Sequence, residues 1–350
     1  PNQTWLAAVY RYLATIPIGC LPDNLEEFPL VPGNSGHLYK GGGVDAPLWP
    51  TPDVPTALLQ ALKYFKIPLI EAVGELKAAI QAFLHQHSNA FIFHLTVPDL
   101  IESLLYLEQL PTYRAKEYKA LVSYLASDRQ WQLRDDNIYK PELRALAIYP
   151  TLNNQPTALD VEKVYVPGGY TPPTIAGSLK LLALGPTAGS QEWHDFYTDF
   201  LGVQVLDHCA MIKHLLETYS NLNNPTQQLE ALTWIRDHLD LAQSEQPSSA
   251  TSLRNTLRTS QLVLCEDGQL RSISSLYHPQ QKSTVQKVLG NQAHFPAMKT
   301  YSQGDWLSFF QKLGIQQSPS AKDILAYVDT QIQQAQHGIS KEIYENLKGI

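Results

Sequence analysis

Cysteine, charge and long apolar runs are all scarce in this sequence, and each shortage removes a class of protein. Three cysteines in 350 residues, Cys20, Cys209 and Cys265, are odd in number and widely separated. That pattern fits reduced thiols in a cytoplasm, not a disulfide framework. Charged residues make up only 17% of the chain beside 44% hydrophobic ones, the balance of a folded soluble protein. Basic residues are outnumbered, with a net charge of −7 and a pI near 5.9, so nucleic acid is not the expected partner. No apolar run approaches the roughly 20 residues of a membrane span, and no signal peptide is visible. The chain starts at Pro1 instead of Met, as a piece excised from a longer protein would.

What the sequence does have is a recurring stretch. In Leu143–Leu159 an apolar run meets Pro150, then a polar break at Asn153, Asn154 and Gln155, then a second short run. This predicts a strand, a turn and a returning strand. A variant runs from Phe28 through the turn Gly33-Asn34-Ser35-Gly36 to Tyr39, and another from Leu262 through Glu266-Asp267-Gly268 to Leu270. Pro32, Pro150 and Leu264 stand 118 and 114 positions apart, and spacings that similar mark a repeat.

An amphipathic helix accompanies each hairpin. Leu58, Leu62 and Phe65 lead to Lys66-Ile67; Trp193, Phe196 and Phe200 to Gly202-Val203; Trp306, Phe309 and Leu313 to Gly314-Ile315. Such spacings place each trio on one helical face. Ser190 and Ser302 are the expected N-caps of the two Trp helices. Gly202 and Gly314 are the expected left-handed caps, a conformation that Lys66 adopts only at some cost. Further helices are predicted over 73–84, 209–219 and 324–332. Residues 4–15 predict a helix with Trp5, Val9 and Leu13 inward, and Gln227–Leu241 another with Leu229, Leu232 and Ile235 inward. Thr96 with Asp99 reads as a capping box, and 244–252 as a mobile loop. Residues 90–95 read as a short strand, and 179–184 as a strand or helix turn.

The fold class expected is α+β: a mainly helical repeat array with short β-hairpins, in three imperfect copies. The copies are 1–89, truncated at its start, then 90–222 and 223–340. A further copy begins at 341–350, where Ile343–Leu347 resembles Val9–Leu13. Arrays of this kind stack each unit on its neighbours.

Two stretches carry a family resemblance. Leu143–Thr151, LRALAIYPT, resembles the "LxxLPIFPT" hairpin of the sacsin repeats, and LVLCEDGQLRSISSLYHP from Leu262 resembles their "FIPxxDGxLRxPSELYDP" element. The likeness continues through Val288-Leu289-Gly290, Phe295-Pro296, Asp305–Ile315 and Pro319–Leu325, and covers nearly the whole chain. It departs from the pattern at Asn153-Asn154-Gln155, which replaces the usual Asp-Gly turn, and at Gly41–Gly43. The resemblance implies a cytoplasmic protein linked to chaperone activity and proteostasis. In that family such regions follow an ATPase module like that of gyrase and the heat-shock chaperones. This sequence has no Glu-x-x-x-Asn motif followed by Asp-x-Gly-x-Gly, so the implied role is that of a scaffold for protein partners or unfolded clients.

Candidate chemistry is weak at every point. Glu192, Asp195 and Asp199 share a helical face as a cation site requires, yet acids near a helix start are ordinarily a solvated face. His85 and His87 point about 200° apart on a helix, and Cys209 and His214 also miss a common face. Gly33–His37 lacks the spacing of a nucleophile elbow and reads as a turn. Gly41–Gly43 lacks the Gly-Lys-Ser or Gly-Lys-Thr of a phosphate loop. Trp193 and Trp306 read as core. The expectation is therefore a non-enzyme with no catalytic, cofactor or metal residues; the alternative is an enzyme or small-molecule-binding domain with a cleft at Lys40–Trp49.

Overall fold

The structure is a computed structural model that describes residues 2–42, 45–87, 91–133, 138–161, 163–177, 179–185, 190–222, 224–302 and 304–334. The class is α+β, with 53% helix and several small sheets. Contacts divide the chain into two compact units, one of Pro1–Pro167 with Leu179–Val205, the other of Gly168–Ser178 with Leu206–Ile350.

The first unit runs α1 (Gln3–Leu13), β1 (Pro29–Pro32), β2 (Leu38–Lys40), α2 (Thr56–Tyr64), α3 (Gly74–Gln86), α4 (Val97–Leu105), α5 (Ala115–Ser127), α6 (Arg129–Gln132), α7 (Tyr139–Ala145), β3 (Tyr149–Pro150), β4 (Pro156–Thr157), β5 (Val164–Pro167), β6 (Lys180–Leu181), α8 (Ser190–Asp195) and β7 (Val205–Leu206), whose last residue falls in the second unit. A π-turn, Phe196–Phe200, continues α8. One core gathers α1 and α3 around Tyr10, Ile80 and Phe83, and a second gathers α2, α4, α5 and α8 around Phe65, Leu121, Trp193 and Phe196.

The second unit continues with α9 (His208–Thr218), α10 (Pro225–Glu245), α11 (Pro247–Thr259), β8 (Gln261–Leu264), β9 (Leu270–Ser272), α12 (Lys282–Leu289), α13 (Trp306–Lys312) and α14 (Ala321–Gln334). Its interior holds Met211, Leu232, Ile235, Leu257, Val263 and Phe310, all fully buried. Tyr301 ties strand to helix: its hydroxyl accepts from Leu264 N at 2.7 Å, and its ring lies 5.0 Å from that of Trp306.

The three expected hairpins form, as β1–β2, β3–β4 and β8–β9, and they share one set of hydrogen bonds. The residue after the first strand donates to the carbonyl four residues on: Gly33 to His37 and Thr151 to Gln155, both at 3.0 Å, and Cys265 to Gln269 at 2.9 Å. The turn closes at a residue with positive φ, Gly36 (80°), Asn154 (56°) or Gly268 (81°). One amide then leaves each hairpin for an outer strand: Asn34 to Leu69 O and Leu152 to Leu181 O, both at 2.8 Å, and Glu266 to Phe295 O at 3.1 Å. A return bond follows from Glu71 to Pro32 O, Ala183 to Pro150 O and Ala297 to Leu264 O. A short central strand then reaches a second outer segment, with Trp49 donating to Phe93 O, Val166 to Gln204 O and His278 to Gln316 O. Last comes a capped helix: Thr96, Asp207 and Ser320 accept from the amides of Asp99, Ala210 and Asp323. No repeat of the fold as a whole is detected among the described residues; what recurs is this frame.

The frame corrects the expected helix pairing. Trp193 and Trp306 lie on helices between the two outer strands, the place held in the first frame by α3. The α2 helix with Leu58, Leu62 and Phe65 lies one step earlier, before the outer strand at Leu69. In that earlier place the third frame has α12, and the middle one only the 3₁₀ turn Thr174–Ala176.

Other expectations shift as well. Trp5 is 53% exposed because α1 buries Leu6, Ala7, Tyr10 and Leu13 instead of the Trp5–Val9–Leu13 stripe. The expected loop at 244–252 is helix on both sides of a single break at Gln246, with Pro247 opening α11 at a position that needs no amide and Leu253 and Leu257 anchoring one face. Ser302 does not cap α13; Asp305 does, accepting from Ser308 N at 3.0 Å. Ser190 lies inside α8. Positive φ occurs at Gly202 (69°) and Gly314 (82°) as expected, and at Lys66 (58°). Residues 179–184 contain β6, and His94 bridges Trp49. Ala90, Gly43 and the expected further copy at 341–350 lie outside the described residues.

Candidate functional site

At the expected cleft, Gly42, Leu48, Phe93, Asp99, Glu102 and Ser103 line a hollow of about 90 Å³, well below the roughly 300 Å³ at which small-molecule sites begin. Its carboxylates are already engaged. Asp99 accepts from the Thr96 hydroxyl, and Glu102 accepts from Tyr139 Oη at 2.5 Å; that bond, with burial, pushes the phenol up to about 12.

The remaining candidates separate. Of the acidic trio, Asp195 accepts from Arg129 at 2.6 Å and from Gln191 at 2.6 Å. The Arg129 bond holds its carboxyl below the usual range. Asp199 stays beside it, 3.9 Å from the same guanidinium, so the cation at this pair is the Arg129 side chain. His85 is exposed while His87 is buried, 5.2 Å from the Phe83 ring. Cys209 is buried and its thiol is pushed up by that burial, whereas His214 Nε2 lies 3.1 Å from Ala176 O. Among the described residues no group of three or more His, Cys, Asp or Glu side chains is placed to hold a metal ion. Gly33–His37 is the first hairpin turn. Trp193 and Trp306 are 1% and 2% exposed; the Trp193 indole donates to Ser123 Oγ at 3.2 Å, and the Arg236 guanidinium lies 4.4 Å from the Trp306 ring centre.

One opening in the second unit had no counterpart in the sequence reading. A groove of about 480 Å³ runs along α10, walled by Pro173, Ile175, Leu229, Thr233, Trp234 and His238. Asn224 caps this helix by accepting from Thr226 N at 2.9 Å, and Pro225 opens it. At 3.6 residues per turn Leu229, Thr233, Trp234 and His238 fan over about half of the helix, with the exposed carboxylates of Glu230 and Asp237 between them. The Trp234 and His238 rings stack at 4.2 Å with planes 12° apart.

Beside them Tyr170 stacks on His208 at 4.5 Å and 10°, so two cofacial pairs lie next to each other, with the two histidine rings 5.3 Å apart. Each histidine ring is held by a polar tether. His238 Nδ1 meets Trp234 O at 2.9 Å, and His208 Nδ1 meets Glu245 Oε1 at 2.6 Å. Both partners accept, so the ring proton sits on Nδ1 in each. Glu245 also accepts from His208 N at 2.9 Å, and Tyr170 donates to Asp207 O at 3.1 Å. Burial raises the Tyr170 phenol above its usual value. The approach of Tyr170 depends on Gly168, whose missing Cβ would fall 1.9 Å from Leu206 O. The i, i+4 spacing of Trp234 and His238 was the readable signal; their alignment with Tyr170 and His208 was not, because it joins distant parts of the chain.

The chain has no transmembrane helix among its described residues, none being long and apolar enough. Comparison with protein-family models, with curated proteins and with solved structures gives no match.

Proposed function

We propose that this chain is a non-catalytic, sacsin-like repeat segment of a larger protein, a scaffold that presents surface to protein partners or unfolded clients. The observation that carries the reading is the recurrence of one backbone frame in three hairpins of different sequence. In each, amides and carbonyls are spent on joining hairpin, central strand and outer strands, an arrangement that builds structure without converging reactive side chains. Glycine serves the closing turn at Gly36 and Gly268, and Asn154 replaces it in the middle hairpin. The copies of the array in this reading are frames in which α3, α8 and α13 correspond. Large apolar side chains stand in solvent at Tyr12, Ile18, Leu133, Ile138 and Val161, each at least 69% exposed, and each would gain by burial against a partner.

The experiment is light scattering from a chemically denatured model enzyme diluted into buffer with and without the chain. Slower aggregation at equimolar ratio is expected. Unchanged aggregation, with no complex on size-exclusion chromatography, overturns the reading.

A further inference from the structure

The end of α2 carries a side chain that its backbone does not favour. Three helical segments end at a residue with positive φ followed by a β-branched one, at Lys66 (58°), Gly202 (69°) and Gly314 (82°). A Cβ built at Gly202 or Gly314 would meet nothing closer than 3.6 Å, so glycine stands there for its backbone and not for lack of room. Glycine would serve position 66 by the same reasoning, yet an exposed lysine occupies it. A side chain held in a conformation it disfavours points to a use for that side chain.

Lys66 lines a hollow of about 520 Å³ on the first unit, together with Tyr64, Tyr106, Leu107, Glu108 and Leu110, within the roughly 300 to 1,000 Å³ of small-molecule sites. One wall is fixed in advance. The Tyr64 hydroxyl donates to Thr112 O at 2.5 Å, and the Arg114 guanidinium lies 4.4 Å from the Tyr64 ring centre. Tyr106 is 60% exposed and Leu107 and Leu110 are half-buried, apolar surface that a ligand would cover. The nearby Lys63 is tied to Glu71 at 3.1 Å. Lys66 and Glu108, in contrast, pair neither with each other nor with another charged group among the described residues.

We propose that this hollow binds a free α-amino acid with an apolar or aromatic side chain, its carboxylate at Lys66, its ammonium at Glu108 and its side chain against Tyr106 and Leu107. Two unpaired charges of opposite sign on one hollow are matched by a zwitterion, which forms a charge-assisted bond at each end. Glu108 disfavours a polyanion, and Lys66 disfavours a cation that has no carboxylate. The site stands apart from the scaffold reading and holds whether or not the chain slows client aggregation.

Isothermal titration of the whole chain with each of the twenty common amino acids is the test. Saturable heat is expected with L-phenylalanine, and not with L-aspartate or L-lysine, whose side chains would carry charge onto the apolar wall. N-acetyl-L-phenylalanine and L-phenylalanine amide each lack one of the two charges and should bind at least tenfold more weakly. Lys66→Gly should also weaken binding at least tenfold while raising the denaturant midpoint, a split that a merely structural lysine would not produce. Glu108→Gln should weaken binding severalfold; Glu108 is exposed, so this variant decides the matter if Lys66→Gly does not fold. No saturable heat from any of the twenty, or binding that neither substitution weakens, overturns the site.

Discussion

Single residues set the backbone of each helix end, and two of them invite opposite substitutions. Lys66 and Gly202 both follow a helix with positive φ, 58° and 69°, where a side chain costs about 1 to 2 kcal/mol. Lys66→Gly relieves that cost, offset in part by the added freedom of the unfolded chain, and a gain of about 0.5 to 1 kcal/mol is expected. Gly202→Ala should lose about 1 kcal/mol from the backbone alone, because an added Cβ there meets nothing within 4 Å. Denaturant midpoints at unchanged m-value measure both; equal signs would refute the account. A second residue acts through protons. Burial, reinforced by Arg271, holds His294 below its usual value, although Asp267 at 3.5 Å pulls the other way. The unfolded chain therefore binds the proton more readily, and stability falls as pH drops through the ordinary imidazole value near 6.5. His294→Gln should flatten the stability slope between pH 7 and pH 5, and an unaltered slope would dismiss the effect. Turn glycines and helix caps of this sort were legible in the sequence because they are local. The ring cluster of Tyr170, His208, Trp234 and His238 was not, because its members are up to 68 positions apart.

Elements carry the stability that these residues trim. The α13 helix has only seven residues, too few to hold without packing, and Trp306 supplies much of it, with ring centres of Tyr301, Phe309 and Phe310 at 5.0, 5.8 and 5.8 Å. Trp306→Ala should cost about 3 to 5 kcal/mol as a large-to-small change in a core. Calorimetry of the variant beside the parent checks this, and near-parental melting would contradict it. The burial of Trp306 was readable from its apolar spacing; the partner of its helix in the first frame was not. Both α2 and α13 end on a positive φ followed by isoleucine, Lys66-Ile67 and Gly314-Ile315, with Ile67 N bonded to Leu62 O and Ile315 N to Phe310 O. Similar termination chemistry makes them look equivalent. Place in the frame is instead decided by which strand pairs with the hairpin, a non-local bond that periodicity does not record. The same limit explains 244–252, where serines and a proline resemble a loop until Leu253 and Leu257 find a buried face.

For the whole molecule, charge and backbone satisfaction lead to a prediction about nucleotide. The chain has a net charge of −7, which raises the cost of bringing up a polyphosphate, and a phosphate site would need free backbone amides or a basic cluster to offset it. Its most glycine-dense stretch does not provide them. Gly41 N already donates to Glu26 O at 3.0 Å, a Cβ at Gly41 would fall 2.5 Å from Phe91, and the Glu26 carboxylate lies against Gly42. Glycine there admits the close approach of a neighbouring chain segment, and the nearest charge is of the wrong sign for phosphate. Isothermal titration of the whole chain with ATP and Mg²⁺ should give no saturable heat, and incubation should release no phosphate above buffer. Micromolar binding with turnover would replace the scaffold reading with an enzymatic one. Binding without turnover, weakened by Glu26→Gln as well as by Glu26→Lys, would show that the acid beside Gly42 holds the magnesium, and would relocate the functional surface to the first hairpin.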